Sequence, residues 1–188
     1  GPLILFVGRI TKHKGIQFLI EAAPSILKEF PKARFMIIGE DYGYLGNLRR
    51  MVERLGIRDC VIFLSRLSQG EIVEAYKSAD VFVLPSALEA FGLVLVEAMA
   101  SGAPVVASNY GGIRCLVQDG VNGLTFRTED SVELADRVER ILTDGALRTR
   151  IVENARVTVL GKFSIERTVN ELEILYENLK ACFRRFRS

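Results

Sequence analysis

The chain has 188 residues, of which 49% are hydrophobic and 26% are charged, and its net charge is only +2. This length suits one globular core better than two. The near-neutral balance, with both signs interspersed, argues against nucleic acid as a partner. The three cysteines, Cys60, Cys115 and Cys182, are widely spread and lack metal-ligand spacing, which favours a reduced, cytoplasmic setting. No apolar run reaches bilayer length, and the first residues have no signal-peptide pattern.

Short apolar runs alternate with amphipathic segments over the first 107 residues. The apolar runs are often β-branched, as buried parallel strands are, and the segments between them have helical periodicity. This βαβ alternation predicts an α/β fold with a Rossmann-like parallel sheet flanked by helices. The predicted strands are Leu3–Val7, Arg34–Ile38, Cys60–Leu64, Val81–Leu84 and Pro104–Ala107, and the predicted helices are Ile16–Glu29, Leu45–Leu55, Glu71–Ser78 and Leu93–Ala100.

Two parts of the chain depart from this simple alternation. Pro24 lies inside the first predicted helix and is expected to kink or break it. After Ala107 the pattern changes, so that Asn122–Phe126 predicts a short strand and helices are expected from about Ser131 to the end. No repeat, linker or low-complexity tract divides the sequence. We therefore expect a single domain over residues 1–188.

The loop after the first strand places three basic or titratable side chains directly before a helix. Lys12, His13 and Lys14 crowd the positive end of the helix dipole, where cations are unfavourable. A phosphate held by Arg9, Lys14 and helix-terminal amides would offset this repulsion. Ligands bind at the carboxyl ends of strands in α/β proteins. We therefore predict an anion-binding role for Arg9 and Lys14, whereas Lys12 and His13 are expected to face water.

Two glutamates stand eight positions apart after the fourth predicted strand. Glu97 is the only charge in residues 90–100, a segment so apolar on every side that it predicts a buried helix. A buried carboxylate needs a partner, because an isolated one is strongly destabilising, and that partner can be a ligand. Glu89 lies in the loop before this helix. Both carboxylates are therefore expected at the carboxyl edge of the sheet, where small ligands bind.

A second anion site is predicted at the amino end of the helix after Glu89. Gly92 lets a ligand approach the backbone closely. The amides of Leu93 and Val94 are among the first of the helix, so they have no acceptors within it. A diphosphate suits this position, because the amides and the helix dipole both favour negative charge.

Together these segments resemble a known family. Glu89-Ala-Phe-Gly-Leu-Val-Leu-Val-Glu97, followed by Ala-Met-Ala-Ser-Gly-Ala-Pro-Val-Val-Ala-Ser108, is similar to the E-x7-E segment of retaining glycosyltransferases of family 4, also called group 1. The similarity covers nearly the whole chain, up to the predicted helix near Tyr176. Its further segments are Gly8-Arg-Ile-x3-Lys14-Gly15, Ser78-Ala-Asp-Val-Phe-Val-Leu-Pro-Ser86, Gly111-Gly112-Ile113 and Asp119-Gly-Val-Asn-Gly-Leu124.

The resemblance implies one half of a GT-B fold, in which two Rossmann-like domains face each other across a cleft. The carboxy-terminal domain of such enzymes binds the nucleotide-sugar donor, and this chain resembles that domain alone. The expected partner is the amino-terminal acceptor-binding domain of the same full-length protein. That domain usually supplies a cleft histidine, which His13 does not match. We therefore expect these residues to bind the donor and to transfer little or no sugar by themselves.

The resemblance also implies a role for each candidate residue. Arg9 and Lys14 would neutralise the donor diphosphate, and Glu89 would hold hydroxyls of the transferred sugar; these three are the expected catalytic residues. Glu97 would accept hydrogen bonds from the ribose. The expected donor-binding residues are Gly8, Arg66 and Leu67, of which the last two lie near the base, together with Ala90, Phe91, Gly92, Leu93, Val94 and Glu97.

Metal and cofactor are both expected to be unnecessary. Other glycosyltransferases bind a metal through an Asp-x-Asp motif, and this sequence contains none. Fixed cations and amides would instead stabilise the leaving diphosphate. The donor would be a UDP-, GDP- or ADP-sugar, and its base, its sugar and the acceptor stay open.

Three segments depart from the family pattern. Ser65 stands where glycine is common, Arg114-Cys115 replaces Pro-Glu, and Gly39-Glu-Asp-Tyr replaces Gly-x-Gly-Pro.

Three other functions remain as alternatives. They are a non-catalytic nucleotide-sugar binding module, a GT-B sugar phosphorylase and a nucleotide-sugar epimerase. A nicotinamide oxidoreductase and a P-loop NTPase are disfavoured, because neither G-x-G-x-x-G nor G-x4-G-K-[ST] is present.

The carboxyl terminus is rich in basic and aromatic residues. Basic side chains suit the carboxyl end of a helix, and we favour this interpretation. Peripheral contact with an anionic membrane at its inner face is the alternative. The residues concerned are Lys180, Phe183, Arg184, Arg185, Phe186 and Arg187.

Overall fold

Six parallel strands form the central sheet. The structure, a computed structural model, describes the backbone of residues 1–185 and the side chains of residues 1–180. The strand order is β3-β2-β1-β4-β5-β6, which is the order of Rossmann dinucleotide-binding domains. The predicted Rossmann-like parallel sheet is therefore confirmed. The strands are β1 Leu3–Val7, β2 Arg34–Ile38, β3 Val61–Leu64, β4 Val81–Leu84, β5 Val105–Ser108 and β6 Leu124–Phe126.

Helices connect the strands and flank the sheet. Helix α1 packs against α2 and α6, α3 packs against α4, and α4 packs against α7. The short helix α5 was not predicted from the sequence. The bounds are α1 Ile16–Glu29, α2 Leu45–Arg54, α3 Gln69–Ser78, α4 Leu93–Ser101, α5 Ile113–Leu116, α6 Ser131–Thr143, α7 Gly145–Lys162 and α8 Ile165–Arg185.

The core lies on both faces of the central strands. All four residues of β4 are fully buried, as are Ile4, Leu5 and Phe6 of β1. Successive residues of a strand point to opposite faces, so burial of every position requires a helix layer on each side. Burying each such side chain contributes about 1.5–3 kcal/mol. This explains why these strands are continuous apolar runs in the sequence.

Helix α1 is continuous, although Pro24 lies inside it. Of the predicted kink or break, the break does not occur. Proline cannot donate the helical hydrogen bond, which is destabilising by itself. The buried residues Leu19, Ile20, Ala23 and Ile26 line one side of α1, and the packing of that side holds the helix together on either side of Pro24.

The carboxyl-terminal helix contributes no membrane span. None of the helices described within residues 1–185 combines the length and the apolar character needed to cross a bilayer. Lys180 pairs with Glu177 at 2.9 Å. The other basic and aromatic residues of the predicted terminal cluster lie outside the side chains that the structure describes, so the prediction for that cluster stays untested.

Close backbone contacts fix the loops at the carboxyl edge of the sheet. Gly15 has a φ of +70°, and a Cβ there would overlap the carbonyl oxygen of Pro85. A Cβ on Gly39 would similarly overlap the carbonyl oxygen of Gly8. Only glycine permits these approaches. The start of α1 is thereby held against the end of β4.

The Gly15→Ala variant is expected to lower the free energy of unfolding by at least about 2 kcal/mol, because positive φ and the overlap with Pro85 both disfavour a Cβ. Urea denaturation measures the change. Gly46→Ala is the matched control, since Gly46 lies in α2 with open space around it. There the higher helix propensity of alanine should leave stability unchanged or raise it by up to about 1 kcal/mol. Equal stabilities of the two variants would contradict this account of Gly15.

Candidate functional site

The candidate site lies at the point where the strand order of the sheet reverses, between β1 and β4. Strands β1 and β4 are neighbours, with β2 and β3 on one side of the pair and β5 and β6 on the other. The loops that leave β1 and β4 therefore run away from each other and open a crevice at their carboxyl ends. Ligands of α/β proteins bind in such crevices. Every predicted site residue except Arg66 and Leu67 belongs to one of these two loops or to the helix after the second.

Backbone hydrogen bonds tie the two loops together at the crevice. The carbonyl oxygen of His13 accepts from the amides of Ala87 at 2.9 Å and Leu88 at 3.4 Å. The His13 side chain is exposed, as predicted, and so is that of Lys12. The contribution of His13 to the site is thus its main chain, which fixes the β4–α4 loop against the β1–α1 loop.

Lys14 and Glu89 form the central ion pair of the site. The Lys14 Nζ lies 2.6 Å from the Glu89 Oε2, and the two side chains are only 18% and 12% exposed. The Ser86 hydroxyl donates to the same Glu89 oxygen at 3.4 Å. From the sequence, a phosphate is predicted to balance the charge of Lys14. In this structure the carboxylate of Glu89 supplies that negative charge instead.

Two serines and a glycine pair position Glu89. The Ser108 hydroxyl donates to the carbonyl of Ser86 at 2.6 Å, and both serines are fully buried. The Gly112 amide donates to the Glu89 carbonyl at 3.1 Å. A Cβ on Gly111 would overlap the Glu89 carbonyl oxygen. Sequence reasoning missed the serines, although each follows a predicted strand; the contact between them depends on β4 pairing with β5.

Arg9 lies near the start of the loop that follows β1. Its guanidinium carbon is 5.6 Å from the centroid of the Tyr42 ring, in a cation–π arrangement. The Tyr42 amide donates to the carbonyl of Ile10 at 3.1 Å, and the carboxylate of the neighbouring Asp41 accepts from the amides of residues 43–45 at 2.9–3.0 Å. These bonds, led by that of Leu45, hold the pKa of Asp41 below its usual value of 3.8. The Arg9 side chain is exposed to solvent.

A small cavity lies at the ends of β1, β2 and β3. Its volume is about 140 Å³. Arg66 is 85% exposed and its guanidinium lies 3.6 Å from Glu40. The structure thus brings Gly8, Arg66 and Leu67 together at one cavity. The lining residues are Val7, Gly8, Ile38, Gly39, Glu40, Ser65, Arg66, Leu67 and Ile72.

The two other departures from the family pattern, at Ser65 and Arg114, also make defined contacts in the structure. Ser65 lines this cavity. Arg114 Nε donates to the carbonyl of Asn109 at 3.2 Å and to its side-chain oxygen at 3.0 Å. Arg114 therefore stabilises the turn after β5.

Helix α4 presents an open side to the crevice. Gly92, with a φ of +90°, precedes its first residue, Leu93. The predicted buried helix is wrong: Leu93 is 66% exposed, and Glu97 is also exposed. The buried face of α4 is formed by Leu95, Ala98 and Met99. The helix packs against α3 and α7, and Leu93, Glu97 and Ala100 are exposed on its other side.

The remaining rim residues of the β4–α4 loop are also accessible. Ala90 is exposed and Val94 is half-buried. Phe91 is 38% exposed, and its ring packs edge-on against Phe163 at 5.6 Å, next to the end of α7. The amides of Leu93 and Val94 are the first two of α4, where the helix itself offers no acceptors.

Glu97 has a protein partner that is not evident from the sequence. The hydroxyl of Tyr76, on α3, donates to the Glu97 Oε2 at 3.0 Å. The Tyr76 side chain is almost completely buried. Burial, and then the nearby carboxylate of Glu97, raise the pKa of the Tyr76 phenol, so Tyr76 stays protonated and acts as the donor.

The described residues do not offer a metal site. Within them, no group of three or more His, Cys, Asp or Glu side chains could hold a metal ion. Among the positive groups near the crevice are Arg9, Lys14 and the first amides of α4. Anions are the ligands that such groups favour.

Comparison with known proteins identifies a family. The profile described as Glycosyl transferases group 1 matches residues 1–158. An uncharacterized glycosyltransferase of Methanocaldococcus jannaschii is 39% identical over 179 residues, which cover 93% of this chain and 44% of that protein. The D-inositol 3-phosphate glycosyltransferase of Corynebacterium jeikeium is 37% identical over 183 residues, with 94% and 43% covered.

A solved structure shows the same architecture. The crystal structure of Anabaena HepE in complex with UDP-glucose matches with a TM-score of 0.85 and 30% identity. The match covers 95% of this chain and 48% of HepE. The chain thus spans less than half the length of the relatives and the structure compared.

The Lys14–Glu89 pair is expected to have a coupling energy of about 1–2 kcal/mol, between the values of exposed and buried ion pairs. A double-mutant cycle of Lys14→Met and Glu89→Gln, followed by urea denaturation, measures it. The control is the surface pair of Lys77 and Glu74 in α3, at 2.7 Å and with both side chains more than half exposed. Its coupling should stay below about 0.5 kcal/mol. A coupling at the site no larger than that of the surface pair would disprove the structural role.

Proposed function

This chain belongs to the glycosyl transferases group 1 family, and we propose that it binds the nucleotide-diphosphate sugar donor of a retaining, metal-independent glycosyltransferase. The observation that carries the proposal is the juxtaposition of Lys14, Glu89 and the open amino end of α4 at the switch point of the sheet. The UDP-glucose bound by the related HepE supports a nucleotide sugar as the ligand. Catalysis would need no cofactor beyond the donor itself.

The diphosphate would bind between the two loops. An ammonium group has three donors, so Lys14 can bond a phosphate oxygen while it keeps its contact with Glu89. The exposed guanidinium of Arg9 offers a second cation. The amides of Leu93 and Val94 lie at the amino end of α4, where the helix dipole favours negative charge. As the glycosidic bond breaks, negative charge builds on the leaving diphosphate, and these fixed groups would stabilise it.

The two glutamates would bind different parts of the donor. Glu89, fixed by Lys14 and Ser86, would accept hydrogen bonds from hydroxyls of the transferred sugar. Glu97 on the open side of α4 would accept them from the ribose. The base would lie at the cavity near Arg66 and Leu67.

Transfer would require the rest of a longer protein. The chain covers only 44% and 43% of the two relatives described above. An acceptor must be held against the anomeric carbon in a productive orientation, which lowers the barrier by several kcal/mol. We propose that an amino-terminal acceptor-binding domain supplies this orientation and that transfer in the cytoplasm retains the anomeric configuration.

At least one of UDP, GDP and ADP should bind this chain equally well in excess chelator and in magnesium. The reason is that Arg9, Lys14 and the α4 amides supply the positive field. Isothermal titration calorimetry measures the dissociation constants. Lys14→Met should weaken binding about 10- to 100-fold, as expected for one charge-assisted hydrogen bond. The control Lys12→Met removes the same charge two residues away and should have little effect. Binding that is lost in chelator and restored by magnesium or manganese would contradict metal independence.

Substitutions of the two glutamates should weaken the binding of different ligands in the same assay. Glu97→Gln should weaken the nucleotide and its nucleotide sugar by similar factors, because the ribose is common to both. Glu89→Gln should weaken only the sugar-bearing ligand, and it can strengthen nucleotide binding by releasing Lys14 from the ion pair. Equal losses for both ligands in both variants would show that the assigned roles are wrong.

A further inference from the structure

Tyr76 is a buried residue that contacts Glu97, one of the proposed donor-binding residues. It lies on α3, outside both loops of the crevice, and its hydroxyl contacts the Glu97 Oε2 at 3.0 Å. Only 1% of the residue is exposed. Its ring packs edge-on against Phe82 of β4, with centroids 5.4 Å apart. The hydroxyl is therefore a donor with a fixed position.

Glu97 by contrast is an exposed side chain on the open side of α4. An exposed glutamate samples many rotamers, and ordering it on ligand binding weakens the affinity. A hydrogen-bond donor that is fixed in the core orders the Glu97 carboxylate before the ligand binds, and this removes part of the entropic cost. One carboxylate oxygen is bonded to Tyr76, and the other, Oε1, stays available.

We propose that Tyr76 is a positioning residue of the ribose subsite: it holds the Oε2 of Glu97 and so orients the carboxylate for the ribose hydroxyls. This inference rests on the proposed ribose role of Glu97. Tyr76 itself does not touch the donor. The raised pKa of the phenol is consistent with its action as a donor rather than an acceptor.

A purely structural role for the same bond makes a different prediction. Buried tyrosine hydroxyls usually find a partner, and Glu97 could serve only to satisfy Tyr76. Loss of the hydroxyl would then change stability but not the recognition of ribose. The two roles are separated by a ligand that lacks the ribose hydroxyls.

The experiment compares UDP with 2′,3′-dideoxy-UDP on the full 188-residue chain, or the corresponding pair for GDP or ADP if one of those binds instead. The measured quantity is the ribose discrimination, the dissociation constant of the dideoxy form divided by that of the nucleotide. Tyr76→Phe keeps the ring against Phe82 and removes only the hydroxyl. We expect it to lower the discrimination about three- to tenfold, the usual range for one hydrogen bond. Affinity for the dideoxy form should not change.

Two further variants complete the design. Glu97→Gln should lower the discrimination at least as far, and adding Tyr76→Phe to it should have no further effect, because the two residues act through one carboxylate. Tyr44→Phe removes a phenol hydroxyl at the start of α2, away from Glu97, and should leave the discrimination unchanged. In wild-type protein labelled at tyrosine, the Tyr76 Cζ resonance should shift with UDP and not with the dideoxy form, which tests the contact without any substitution.

The outcomes distinguish this inference from the proposed function. Discrimination that falls in Glu97→Gln but not in Tyr76→Phe overturns the role of Tyr76 alone. Equal weakening of both ligands by Tyr76→Phe, or equal responses of the Tyr76 resonance to both, also overturns it. Discrimination unchanged in Glu97→Gln shows that Glu97 does not bind ribose, and the inference then fails together with that part of the proposed function.

Discussion

The contact between the loops that follow β1 and β4 is the constraint on which the candidate site depends. The two strands are neighbours, yet each feeds a helix on a different side of the sheet. The carbonyl of His13 and the Lys14–Glu89 ion pair hold the loops together across that division. Because both side chains are mostly buried, breaking the pair would leave each charge partly desolvated and without its partner. The contacts that fix the geometry of the crevice are therefore also contacts that stabilise the fold.

Core and site share the same elements. Helix α4 uses Leu95, Ala98 and Met99 to pack against its neighbours and leaves Leu93 and Glu97 exposed. The site is thus built on a rigid helix whose position is fixed by burial, as precise binding requires. The hydrogen bonds that orient the acidic side chains come from residues behind the crevice: Ser86 for Glu89 and Tyr76 for Glu97.

Strands and helices could be predicted because local patterns reflect the layers that cover them. Strands β1, β2 and β4 and helix α1 have the predicted bounds, since continuous apolar runs and helical periodicity are direct consequences of two-sided and one-sided burial. The exceptions have tertiary causes. Packing keeps α1 continuous at Pro24, and the open crevice leaves one side of an apolar helix exposed at Glu97.

The sequence by itself determined the fold class, the family and the set of residues at the carboxyl edge, because each follows from spacing along the chain and from the motifs between Gly8 and Leu124. Only the tertiary structure decided how these residues meet. The pairing of Lys14 with Glu89 joins residues 75 positions apart, and Tyr76 reaches Glu97 through the packing of α3 on α4. No periodicity encodes such contacts. They arise because the strand order brings distant loops side by side and burial then fixes the side chains between them.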